Sequence, residues 1–153
     1  MRVQPSLFFD GRCEEGVEFS HKTLGTEVTL RIRFQESSEP PQLGMVPPGS
    51  AHKVVQTSVR MGAMTVLASD GPCGGRPSVQ GFALLLTVPD EAKAEQLFAA
   101  LADGGLEHLP LTTTFFVPRF GMVADRFGVS ERVTVAPCVP VPPQEGERTG
   151  EAQ

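Results

Sequence analysis

Three histidines, three cysteines and three polar strand faces are the residues of this chain that could carry chemistry. His21, His52 and His108 lie far apart, and none belongs to an HxH or HExxH pair that would aim two imidazoles at one metal ion. Cys13, Cys73 and Cys138 are odd in number and widely spaced, with no CxxC, so neither a disulfide framework nor a zinc knuckle is implied. Cys13 falls near a helix N-terminus and reads as core. No GxSxG elbow is present to support serine catalysis. The glycine-rich run SDGPCGGRP (69–77) lacks the GxxxxGK[ST] and GxGxxG patterns that cradle phosphate, and reads as a connection.

The polar faces are more informative. Glu27 to Phe34 alternates, with Val28, Leu30 and Ile32 on one face and Thr29, Arg31 and Arg33 on the other. If the aliphatic face packs on helices, the arginines face away from them. Gln56, Ser58 and Arg60 form the polar face of a later strand, and Ser130, Arg132 and Thr134 that of the last one. A concavity lined by Arg, Ser, Thr and Gln suits an anionic or polar small molecule, because a guanidinium grips carboxylate or phosphate through two N–H groups at once. The same arginines would also serve on open rims or at a dimer contact.

The elements that must position these residues follow from periodicity and punctuation. Val3 to Phe9 reads as a strand, and a helix is expected from about Arg12 to Leu24, with Cys13, Val17 and Leu24 on its buried stripe and Gly25 as its cap. Gly16 should weaken that helix by about 0.5–1 kcal/mol relative to alanine. After the strand 27–34 comes a long Pro/Gly/Ser loop, 35–53, then strands Val54–Met61 and Met64–Ser69. The order then repeats. A strand Gly81–Val88 leads to a helix from Asp90, its N-cap, to about Asp103, with Ala94, Leu97, Phe98 and Leu101 at helical spacing. Strands near Glu107–Thr113, Arg119–Asp125 and Val129–Val135 follow, the last two joined by the turn Asp125-Arg126-Phe127-Gly128. Each half is therefore β-α-β-β-β.

Composition bounds the setting. The 153 residues suit one domain or two small fused modules, and the net charge of −5 argues against nucleic acid or an anionic membrane as partner. No apolar run is long enough to span a bilayer and no signal pattern opens the chain, so a soluble cytoplasmic protein is expected. Residues 138–153, CVPVPPQEGERTGEAQ, are expected to be a disordered tail.

FGMVADRFGVS (120–130) resembles the C-terminal hairpin of PhnB-like proteins, a branch of the vicinal oxygen chelate superfamily that also holds glyoxalase I, bleomycin-resistance proteins and extradiol dioxygenases. VQPSLFFDGRCEEGVEF (3–19), VLASDG (66–71) and LTVPDEAKAEQLFAAL (86–101) match in the same order, so the resemblance covers roughly residues 2–137. It implies an α+β fold of two tandem βαβββ modules, about 1–70 and 78–137. Together they would form a cupped, barrel-like sheet with the helices outside, and the protein would be a homodimer.

In metal-using members four strands each give one His, Glu or Gln to a divalent ion. The corresponding positions here fall at Pro5, Leu67 or Ala68, Phe82 or Ala83, and Arg132, with Gln4 and Glu131 one residue off and hence on the opposite face. No metal and no other cofactor is therefore expected. The relatives also carry rings near Ser20, Phe116 and Glu131, whereas this chain has no Tyr and no Trp, which would leave a wider or wetter cavity. The expected ligand site is Arg132 with Ser130, Thr134, Arg60, Arg31 and His108. His108 is the candidate general base, since its strand borders the cup. The expected role is to bind, or to bind and convert, a small polar or anionic molecule. A metal-dependent glyoxalase- or dioxygenase-like enzyme with non-standard ligands, and a drug-sequestering resistance protein, stand as alternatives.

Overall fold

The computed structural model describes residues 1–36, 49–71, 81–115 and 117–136. The tail 138–153, most of the 35–53 loop, most of the 69–77 connection, Cys73, Cys138 and Phe116 lie outside the described residues. The chain runs β1 (Ser6–Phe8), α1 (Cys13–Leu24), β2 (Glu27–Arg33), β3 (Val54–Met61), β4 (Met64–Ser69), β5 (Leu84–Val88), α2 (Glu91–Ala102), β6 (Leu106–Thr112), β7 (Phe120–Ala124) and β8 (Ser130–Val135). Two four-stranded sheets result, ordered β1-β4-β3-β2 and β5-β8-β7-β6. In each, the first strand runs parallel to the last one of its module, and the other pairings are antiparallel. The fold is α+β, two βαβββ modules, and the sheets are not closed.

The modules interlock through their cores. Leu84 and Val129 of the second module join the cluster of Leu7, Phe9, Cys13 and Val17, while Phe19 and Leu24 of α1 pack against the second cluster. The β7–β8 turn makes the joint. Oδ1 of Asp125 accepts the backbone N–H groups of Phe127 (2.8 Å) and Val129 (3.0 Å), and Gly128 takes φ 80° to close the turn. Phe127 is thereby held edge-on to Phe9, 5.9 Å away, and beside Phe19 at 5.7 Å. The guanidiniums of Arg12 and Arg126 each lie 4.7 Å from a ring centroid, over Phe127 and Phe19.

Several elements follow the sequence pattern closely. Ala94, Leu97, Phe98 and Leu101 are all buried, and Oδ1 of Asp90 caps α2 by accepting from Lys93 N at 2.8 Å. Gly16 has a reason that helix propensity hides: a Cβ there would collide with the ring of Phe9. β1 is shorter than the expected Val3–Phe9, and Pro5, which has no N–H to give the ladder, lies just before its start.

One expected orientation is overturned. Leu30 does not pack on the helices; it is 46 % exposed and pairs with Ser58. A register shift between Val28 and Leu30 inserts a bulge at Thr29, which turns the rest of β2 over. Arg31 and Arg33 consequently face α1, where both pair with Oε1 of Glu14, Arg31 at 3.2 Å.

Candidate functional site

β8 presents two chemically opposite faces. Its alternation sends Glu131, Val133 and Val135 toward the helices, all buried, and Ser130, Arg132 and Thr134 the other way. Cross-strand pairing sets Arg132 between Met122 of β7 and Leu85 of β5, the latter 59 % exposed. The Arg132 guanidinium lies 4.9 Å from the Phe120 ring centroid, so the fork is propped on an aromatic face rather than free to sweep through solvent. Thr134 is anchored: its Oγ1 donates to the Arg119 carbonyl at 3.2 Å.

Of the six residues expected to form one site, the structure brings Ser130, Arg132 and Thr134 together on a single strand face. Arg60 lies on the other sheet and is ion-paired with Glu27. Arg31 is removed from the expected cup by the β2 bulge and is committed to Glu14. His108 is exposed on the edge strand β6, at the register shift between Glu107 and Leu109.

The positions corresponding to a metal tetrad offer few donors. The Pro5 carbonyl accepts from Leu67 N at 2.9 Å, and Gln4 Nε2 donates to the Thr65 carbonyl at 3.4 Å. Ala68 is core, and Glu131 points to the helix side. Among the described residues no three His, Cys, Asp or Glu side chains converge on one point. Cys13 is 1 % exposed, and burial together with the Asp70 carboxylate pushes its thiol up to about 12, which makes it an inert core residue.

Two features were missed in the sequence. Asp70, read as part of a turn, is a buried clamp: Oδ1 accepts from Cys13 N (2.7 Å) and Oδ2 from Val54 N (2.6 Å), fixing the start of α1 to the start of β3. The second is a carboxyl pair. Glu131 is 3 % exposed beside Asp125; burial, then the Asp125 charge, pushes its carboxyl up to about 9. Asp125 is also raised, by burial, against the pull of the Phe127 and Val129 N–H groups. The only sequence signal for this pair was an acidic residue in phase with the apolar side of a strand.

Comparisons with known proteins agree with this architecture. Protein YjdN of Escherichia coli (strain K12) is 30% identical over 142 residues, covering 88% of this chain and 95% of the relative. Protein PA1353 from Pseudomonas aeruginosa superposes with a TM-score of 0.76 at 33% identity, covering 90% of this chain and 98% of that one. The PhnB protein from Bacillus cereus gives 0.75 at 22% identity, covering 89% and 100%. A glyoxylase/bleomycin resistance protein/dioxygenase domain from Frankia sp. EAN1pec shares the fold, with a TM-score of 0.59 at 13% identity over 89% and 91%. No family model matches the chain. Among the described residues no helix is long and apolar enough to cross a membrane.

Proposed function

We propose that this chain, which belongs to the PhnB-like branch of the vicinal oxygen chelate superfamily, binds a small anionic molecule at Arg132, on the face of β8 turned away from the helices, without the family metal. The fold is one of small-molecule binding in this superfamily; the ligand class is argued from the site.

One observation carries the reading. Among the described arginines, Arg2 in the N-terminal segment and Arg132 have no carboxylate partner, while the others are spent on carboxylates: Arg12 on Glu15, Arg31 and Arg33 on Glu14, Arg60 on Glu27, Arg119 on Glu91 and Glu95, Arg126 on Asp103. Arg132 makes no ion pair with any described residue, in a protein of net charge −5 that has acids to spare. Its fork is pre-oriented by Phe120, and the hydroxyls of Ser130 and Thr134 share its face. A carboxylate or phosphate accepting from that fork gains about 1.5–3 kcal/mol per charge-assisted bond. His108, exposed on the edge strand β6 with β7 between it and β8, takes no catalytic part in this reading.

The reading includes a homodimer. β2 and β6 are sheet edges, and Leu30 and Leu85 stand exposed on strand faces. Open edges beside apolar side chains favour a covering partner. Light scattering at micromolar concentration should return a dimer mass, and a monomer mass would remove this part. A thermal-shift screen of small carboxylates and phosphates tests the ligand class. At least one should raise the melting temperature of the wild type, and Arg132→Met should lose that response. If no anion stabilises the wild type, the assignment fails.

A further inference from the structure

The Asp125–Glu131 pair opens on a cavity between α1 and β8, on the side of the sheet opposite Arg132. Its apolar walls include Leu7, Val17, Leu84 and Leu101, and its polar lining is Ser20, Thr23, Asp125 and Glu131. No Arg, Lys or His lines it. Oε2 of Glu131 is buried there and accepts from no described residue. A polar atom out of water without a partner costs free energy, so the site favours a guest that donates to it.

The donor inventory narrows the guest. Ser20 Oγ donates to the Val17 carbonyl at 3.0 Å and also meets Thr26 Oγ1 at 2.9 Å, and Thr23 Oγ1 donates to the Phe19 carbonyl at 2.8 Å. With their protons committed and Ser20 also met by Thr26, what these hydroxyls have left is acceptor capacity, chiefly at Thr23. The two carboxyls share this lining with no cationic side chain. The polar end of the cavity therefore offers unpartnered acceptor capacity at Glu131 Oε2, and any charge its carboxyls carry has the sign that attracts a cation. Its volume, measured at the centre of a water-sized sphere, is about 30 Å³. At roughly 10–15 Å³ per water this holds only a few heavy atoms.

From these observations we infer that the cavity is a second binding site, separate from Arg132, and that it takes a small primary ammonium of one or two carbons. Its N–H groups are donated to Glu131 Oε2 and the hydroxyl oxygens, and its alkyl group rests on the leucine walls.

The test is thermal denaturation of the full chain in methylammonium chloride against sodium chloride at equal ionic strength, with tetramethylammonium chloride as a cation that has no N–H. Methylammonium should raise the melting temperature saturably above the sodium control, and tetramethylammonium should not. Glu131→Met removes the free oxygen and should weaken methylammonium binding at least tenfold. Ser20→Leu, which fills the cavity, should abolish it and keeps the proposal testable if Glu131→Met does not fold. Arg132→Met should leave the response unchanged, which separates this site from the anion site. Equal melting in methylammonium and sodium would mean that the cavity holds water only, and would overturn the inference. So would a response retained in either cavity variant or lost in Arg132→Met.

Discussion

Glu131 of β8 lies buried beside Asp125 at the end of the β7–β8 hairpin, and both line the seam where the second module packs on α1 of the first. The pair is a titratable element inside the joint. The folded state raises the Glu131 carboxyl from its ordinary 4.5 to about 9, so folding favours the protonated form. Unfolding releases that proton between those two values. The group's contribution is therefore fully present below about pH 4.5 and lost as pH rises through the folded value, with a slope of at most about 1.4 kcal/mol per pH unit. Denaturant unfolding of the wild type should show stability falling from pH 6 to pH 8. Glu131→Gln, a neutral isostere, should flatten the profile and be the more stable protein at pH 8. Parallel profiles would show that Glu131 is ionised in the folded state.

Gly16 offers a sharp contrast between propensity and packing. Helix propensity alone makes Gly16→Ala stabilising by about 0.5–1 kcal/mol. The Phe9 ring occupies the space a Cβ would need, and Phe9 also meets Phe127 of the hairpin. Overpacking of this kind costs about 1–3 kcal/mol. Urea unfolding of Gly16→Ala should show a net loss, and a net gain would mean that Phe9 moves aside freely.

Asp70→Ala should be among the most damaging single changes in the first module. It strands the N–H groups of Cys13 and Val54, both buried, at about 1–3 kcal/mol each. Asp70→Asn retains one acceptor and should fall between the two proteins. Chemical denaturation of the three would check the order, and an alanine variant as stable as wild type would show that water replaces the carboxylate.

These cases also mark what the sequence made legible. Local signals carried the element order: the helical spacing of Ala94, Leu97, Phe98 and Leu101, the Asp90 cap, and the turn at Asp125 to Gly128. Alternation alone put Glu131 and Arg132 on opposite faces of β8. The orientation of β2 was not legible, because a one-residue bulge at Thr29 reverses every later side chain and leaves no mark in composition. That reversal is why Arg31 belongs to Glu14 and not to a ligand. Asp70 was hidden for another reason: its two partners are distant in sequence, and a turn aspartate looks the same whether it is exposed or clamps two elements. Gly16 showed its cost locally and its purpose only through Phe9.

The central claim, that Arg132 holds an anion, is tested most directly by observing the arginine side chains themselves. In protein labelled with nitrogen-15 at arginine, the Arg132 Nε–H signal is identified by its loss in Arg132→Met. Titration with the anion that most stabilises the wild type should move that signal saturably, while those of the ion-paired Arg12, Arg60 and Arg126 stay in place. The dissociation constant should rise about tenfold or more in Arg132→Met, the loss of roughly one charge-assisted hydrogen bond. An Arg132 signal that stays fixed while the protein binds the anion would contradict the account.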